Sequence, residues 1–236
     1  MKKYKILTLI PFLLFSHSGI FAQDFNRLVL EPGFKISIFA DNLSSPRQIA
    51  EGKNGTIFVG ERTGQIIALA DSDGNGEADY KKVIAKDLEL STGISIFNGV
   101  LYFSEVSKIW KIENIESWLS DNISNSDLPK KVLVTDELPS DTWHGWKWLK
   151  HDQQGQLYFN VGAPCNICLS KNSQYASILK INDSGWQHVA KGVRNSVGFD
   201  FHPITNKLFF TDNGRDWMGD DTPSCELNRL DVNGQF

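Results

Sequence analysis

Between Gly192 and Asn228 the chain gathers groups suited to holding an ion or a polar ligand: Gly192-Val193-Arg194-Asn195, Asp212-Asn213-Gly214-Arg215-Asp216, Gly219-Asp220-Asp221 and Glu226-Leu227-Asn228. The loop at Asp212 follows the apolar run Lys207-Leu208-Phe209-Phe210-Thr211, so it stands at a strand end, where a rigid scaffold can present polar groups. Arginine offers a planar fork of donors to an anionic or quinoid oxygen, and glycine lets backbone carbonyls and amides come close to a bound group. Taken alone, the same loop also reads as a polar turn between sheets whose aspartates accept from backbone amides. Upstream, His144 stands among Trp143, Trp146 and Trp148. An imidazole titrates near neutral pH and suits proton transfer. The tryptophan spacing fits a strand packed on its neighbour, which accounts for at least two of the three. Trp217, inside the acidic loop, is the better candidate for a ligand contact.

A second oxygen-rich run is Asp71-Ser72-Asp73-Gly74-Asn75-Gly76-Glu77-Ala78-Asp79. Ligands at alternate positions about a glycine turn resemble the start of an EF-hand-like loop for a hard cation, with Asp71, Asp73, Asn75 and Asp79 as the candidate calcium ligands. The glutamate expected at the twelfth position is replaced by Lys82, and the alternative is an ordinary Asp/Gly turn. Such an ion would stabilise the fold and take no part in chemistry.

These groups need a scaffold, and internal repetition supplies it. Thr56-Ile57-Phe58-Val59-Gly60-Glu61, Val100-Leu101-Tyr102-Phe103-Ser104-Glu105, Gln156-Leu157-Tyr158-Phe159-Asn160-Val161 and Lys207-Leu208-Phe209-Phe210-Thr211-Asp212 are one pattern, recurring roughly every 45 to 55 residues. A second strand follows most copies, at 65–69, 108–112 and 177–181, and weaker strands are expected before them at 34–40, 83–88 and 131–135. Four-stranded antiparallel sheets at that period are propeller blades, so the fold expected is an all-β propeller with four blades. Residues 115–121 read as a short helix between blades.

Lys2, Lys3 and Lys5 precede the apolar run Ile6 to Phe15, which is followed by small and polar residues to Ala22. That is the pattern of a secretory signal peptide over residues 1–22, and the run is too short to span a membrane. The expected mature chain, 23–236, is a periplasmic or secreted propeller domain without a membrane span. The full sequence carries a net charge of −4, and without the leader's lysines the chain is more acidic still, offering no basic surface for nucleic acid. In an exported chain Cys165-Asn166-Ile167-Cys168 suggests a local disulfide; a redox motif would need a thioredoxin-like context, and zinc a second ligand pair. Cys225 is left over, either buried and inert or free.

Taken in order, Arg47 with Gly60-Glu61-Arg62-Thr63-Gly64-Gln65-Ile66, His144-Gly145, Gly192-Val193-Arg194-Asn195 with Gly198, and residues 212–228 resemble the pyrroloquinoline quinone (PQQ)-dependent soluble sugar dehydrogenases, closest to the L-sorbosone and pyranose dehydrogenase branch. The resemblance runs from about Leu30 to the last residue. It implies six blades, of which this chain carries the first four, leaving the domain incomplete at its C-terminus. It implies hydride transfer from a sugar or polyol to PQQ, with calcium gripping the cofactor and a periplasmic acceptor taking the electrons. His144 matches the general base. Arg194 and Asn195 match residues that contact the quinone oxygens, Arg194 also stabilising charge during transfer. Gly214 and Arg215 match the pair whose backbone carbonyls bind calcium.

Three departures accompany the likeness. Ser91-Thr92-Gly93 stands where the family often has a glutamine before glycine, Ala163 replaces a common aspartate, and the lysine and arginines that hold the PQQ carboxylates belong to the last blades. Two other functions fit a propeller with a central site: a calcium-dependent lactonase or esterase using Asp212, Asn213 and Asp216, and a non-catalytic binding propeller.

Overall fold

The computed structural model describes residues 25–182 and 185–231; the leader expected at 1–22 lies outside them. The chain divides into two compact units, Met1–Ser37 and Ile38–Phe236. In the first, the described residues hold one 3-10 turn, Phe25–Arg27, and no strand. The strand expected at 34–40 does not form. Phe34, Ile36 and Ile38 alternate as a strand would, but all three are exposed and no strand pairs with them among the described residues.

The second unit is all-β. Its first blade is β1 (Pro46–Glu51), β2 (Ile57–Glu61), β3 (Gln65–Ala70) and β4 (Tyr80–Ala85), hydrogen-bonded in that order. The second is β5 (Ile94–Phe97), β6 (Val100–Ser104), β7 (Ile109–Ile112) and β8 (Val132–Thr135), with α1 (Ile115–Asn122) before β8. The third is β9 (Leu149–His151), β10 (Leu157–Val161), β11 (Ser177–Asn182) and β12 (Gly185–Lys191), and the fourth is β13 (Phe199–Phe201), β14 (Leu208–Asp212) and β15 (Glu226–Arg229). Every pairing is antiparallel. This is the four-bladed propeller arrangement expected, with three four-stranded blades and, among the described residues, three strands in the last.

The repeated apolar runs are the second strands of the blades, β2, β6, β10 and β14. They read as continuous hydrophobic stretches because both faces are covered. Phe58, Ile66, Leu101 and Phe103 pack between blades one and two, Ile109, Leu149, Phe159 and Leu179 between two and three, and Ile178, Val189, Phe199 and Phe210 between three and four. Val59, Ile67 and Leu69, on the other face of blade one, lie under Phe39, Ala40 and Leu43. Burial of such side chains contributes roughly 1.5–3 kcal/mol each. The run at 83–88 does not open the second repeat; it forms the outer edge of the first blade as β4.

Strands β1, β5 and β9 lie next to one another around the axis. Gln48 on β1 ties them together: its Nε2 donates to Leu149 O at 2.7 Å, and its Oε1 accepts Ile94 N at 2.9 Å and Leu149 N at 3.0 Å. A buried amide so satisfied fixes the spacing of three blades at once.

Candidate active site

In each blade the second strand ends beside the loop that leads into that blade's first strand. In three blades an acid closes this corner. Glu61 Oε1 accepts Ser44 N at 2.6 Å, Glu105 Oε2 accepts Glu89 N at 2.9 Å, and Asp212 accepts Arg194 N at 2.9 Å and Asn195 N at 2.7 Å. The next residue repeats the pattern through its backbone: Arg62, Val106 and Asn213 each donate to that loop, all at 3.1 Å. In the third blade the repeat places Val161 at the acid's position, buried in the core. There the corner is occupied by His144, whose Nδ1 lies 2.8 Å from Ala163 O.

That contact decides the tautomer. A carbonyl only accepts, so Nδ1 carries the proton and Nε2 presents a lone pair. Burial of the half-buried ring holds the imidazole below its ordinary value and the Arg194 charge pushes the same way, while the Ala163 hydrogen bond opposes both. A neutral imidazole with a free lone pair is a proton acceptor. His144 has a left-handed backbone, φ 52°, and its seat exists because residue 162 is glycine: a Cβ there would stand 2.6 Å from His144 Cβ and 2.9 Å from its carbonyl oxygen. Trp143 meets the imidazole edge-on, ring centroids 5.8 Å apart.

Arg194 lies in the loop before β13, and all three of its guanidinium nitrogens have protein partners. Nε donates to Asn166 O at 3.1 Å, Nη1 to Asn213 O at 2.9 Å and Nη2 to Asn166 Oδ1 at 2.9 Å, with Asp216 at 3.6 Å. It is a fixed positive charge beside His144. Asn195 is buried and its Oδ1 has no partner among the described residues. Asp212, which holds both residues through their amides, has its carboxyl pushed up by burial against the pull of those two donors. Gly214 abuts Pro223, whose Cγ would be 2.7 Å from a Cβ at 214. Arg215 is exposed, its Nε on Met218 Sδ, and Trp217 is exposed at the loop tip.

Sequence reasoning assigned Asn166 no role at the site. It sits between Cys165 and Cys168, which form a disulfide with Cα atoms 6.1 Å apart. The signal available was its enclosure by two cysteines directly after the third repeat. Cys225 is free and exposed.

Below this rim lies a cavity of about 190 Å³ lined by all four blades, including Arg47, Thr92, Trp146, Lys147, Asn160 and Ser196. Its charged lining residues are cationic. Trp146 has the Arg62 and Arg47 guanidinium carbons 4.6 and 5.6 Å from its ring centroid, and its Nε1 has no partner. Lys147 is buried, donates from Nζ to Gly145 O at 2.5 Å, and its ammonium is pulled down to about 7 by burial. Thr92, in the segment that departs from the family pattern, donates to Lys147 O at 3.0 Å. Trp148 packs toward blade four and donates to Phe199 O at 2.9 Å.

Away from this site, the carboxylates of Asp71, Asp73 and Asp79 lie within 4.8 Å of one another. The loop is folded on its own hydrogen bonds: Asp71 accepts from Gly74, Asn75 and Gly76, Asp79 from Ser72, and Asn75 Oδ1 from Glu77. Those bonds hold the Asp71 and Asp79 carboxyls below the usual range.

Residues 28–230 match the TrAA12-like family model. An uncharacterized protein of Borreliella burgdorferi is 34% identical over 95% of this chain and 59% of its own length. Among solved structures, the Trichoderma reesei carbohydrate-active enzyme of family AA12, in its iodide structure, superposes with a TM-score of 0.73 at 19% identity, covering 85% of this chain and 55% of that one. The holo pyranose dehydrogenase PQQ domain of Coprinopsis cinerea gives 0.65 at 17%, covering 84% and 50%. A gluconolactonase of Xanthomonas campestris gives 0.53 at 14%, covering 80% and 59%. The chain thus spans about half to three-fifths of the length of these relatives. By its match over most of its length, it belongs to the TrAA12-like family.

Proposed function

We propose that this chain forms the proton-accepting side of a PQQ-dependent dehydrogenase that oxidises a sugar or polyol of the aldose or sorbosone type. The observation that carries this reading is His144: Nδ1 committed to Ala163 O and Nε2 open, beside the immobile charge of Arg194. His144 Nε2 takes the proton of the substrate hydroxyl. Arg194 favours negative charge developing next to it and adds to the burial that lowers the imidazole.

The residues present fit the quinone side of PQQ. Arg194 supplies the positive charge, the cavity below adds Arg47 and Lys147 without a carboxylate among its lining residues, and Asn195 Oδ1, buried without a partner among the described residues, is an acceptor left for a hydroxyl or N–H donor and not for a quinone oxygen. When bound, PQQ supplies a two-electron hydride acceptor. Calcium would be held by the backbone carbonyls of Gly214 and Arg215 in the loop after β14. Export to the periplasm or beyond, with an electron acceptor there, follows from the lysine-rich apolar leader.

A metal-dependent lactonase needs carboxylates converging on an ion. Asp212 is instead spent on two backbone amides, and among the described residues the only acidic cluster of metal-binding size is the remote Asp71, Asp73, Asp79 set. Dye-linked oxidation of a panel of aldoses and polyols tests the proposal. Turnover should fall by about 10²–10⁴-fold in His144→Gln. Lactone hydrolysis without oxidation would replace the dehydrogenase with the lactonase, and a ligand bound equally by wild type and H144Q without turnover would make the protein a binding propeller.

A further inference from the structure

Asn166 cross-links three loops. Its backbone carbonyl and Oδ1 both accept from Arg194, at 3.1 and 2.9 Å, forming a two-point clamp on one guanidinium. The same Oδ1 accepts Asp216 N at 2.8 Å, and Nδ2 donates to Asp216 O at 3.2 Å. The loop after β10 is thereby fastened to the loop before β13 and to the loop after β14. Asn166 can hold this geometry because the disulfide, spanning three positions, pins the backbone on either side of it. Cys168 is exposed, so a reductant reaches the bond.

We propose that Asn166 is a positioning residue for this site and that the Cys165–Cys168 disulfide is the lock on it: intact, it holds Arg194 rigidly beside His144; opened, it releases Nε and Nη2 and leaves the guanidinium tethered through Nη1 to Asn213 O. A small dithiol opens it in a balanced exchange. The Cys165–Cys168 S–S bond breaks, each sulfur gains a proton as its thiol, and the dithiol closes to its own disulfide. The charged groups acting on the His144 ring are Arg194, Asp216 and Asp212. Asp212 stays held by the amides of 194 and 195. Loss of the clamp releases both Arg194 and Asp216, and of the two the Arg194 charge, which disfavours the imidazolium, weighs more on the ring than the opposing Asp216 charge. What this means for turnover rests on the dehydrogenase reading; the clamp itself does not, and its test uses neither substrate nor cofactor.

The test is NMR of the full chain carrying Cys225→Ser, so that no third thiol joins the exchange, with arginine and histidine labelled, before and after dithiothreitol. Arg194 Nη2–H, whose acceptor is the side-chain oxygen Asn166 Oδ1, is assigned by its loss in Arg194→Lys, and the His144 ring by its loss in His144→Gln. Reduction should abolish the protected Arg194 Nη2–H signal and move the His144 midpoint to higher pH. Asn166→Ala should do both with the disulfide intact, and reducing that variant should add nothing. The proposal is overturned if reduction leaves both signals in place, or if reduction acts while Asn166→Ala is silent. It is equally overturned if reduction collapses the buried His151 signal, because the disulfide would then hold the fold and not the clamp.

Discussion

His144 owes its role to two neighbours that carry no charge. Ala163 gives it a carbonyl, and Gly162 gives it room. A left-handed backbone at a non-glycine residue is costly unless its surroundings over-determine it, and here the absent Cβ at 162 is what admits the His144 main chain. Gly162→Ala should therefore shift the imidazole by enough to lower kcat by about 10²-fold while far-UV circular dichroism stays that of wild type. An unchanged kcat would mean that the ring is not placed by this contact. The candidate residues could be named from the ordered family resemblance, and His144, Arg194 and Asn195 do come together at one rim. Their supports were not legible. Nothing in the letters Gly162 or Asn166 says which distant loop will press against them, since those contacts cross 18 to 50 positions of sequence.

At the scale of elements, the axial strands are short and hold polar groups that must be paired. His151 on β9 is the clearest case. It is buried, with Nδ1 2.8 Å from Ser95 Oγ and its ring against Phe97 and Tyr102, and burial draws it down to about 4 from an ordinary 6.5, with the Asp152 charge opposing. A histidine depressed in the folded state takes up its proton first in the unfolded chain. The stability it contributes is present above about pH 6.5 and is lost as pH falls toward 4. Chemical denaturation at pH 7 and pH 4 should show wild type losing up to about 3 kcal/mol more than His151→Gln; equal losses would contradict a neutral buried ring.

The second strands of all four blades and the third strands of the first three announced themselves because their faces are covered, giving apolar runs at a fixed period; β15, Glu226–Arg229, is largely exposed and polar, and its sequence reads as loop. The axial strands did not announce themselves. β9 and β13 are three residues each, too short for any periodicity to show, and their positions are set by cross-blade bonds such as those of Gln48. That is also why the phase of the repeat was displaced, with β4 read as the start of the second blade. The alternating residues at 34–38 show the converse: a strand pattern needs a partner to become a strand.

For the molecule as a whole, the arrangement places one proton acceptor, one immobilised cation and a cationic axial cavity at the same end of the blades. An anionic quinone matches that distribution, and a substrate hydroxyl presented to His144 Nε2 completes it. The most direct measurement is a calorimetric titration of PQQ into the folded chain from Gln23, with and without calcium. The account predicts saturable binding that needs calcium and persists in His144→Gln, in which dye-linked turnover is lost. A chain with native near-UV circular dichroism that takes up no PQQ in the presence of calcium would contradict it.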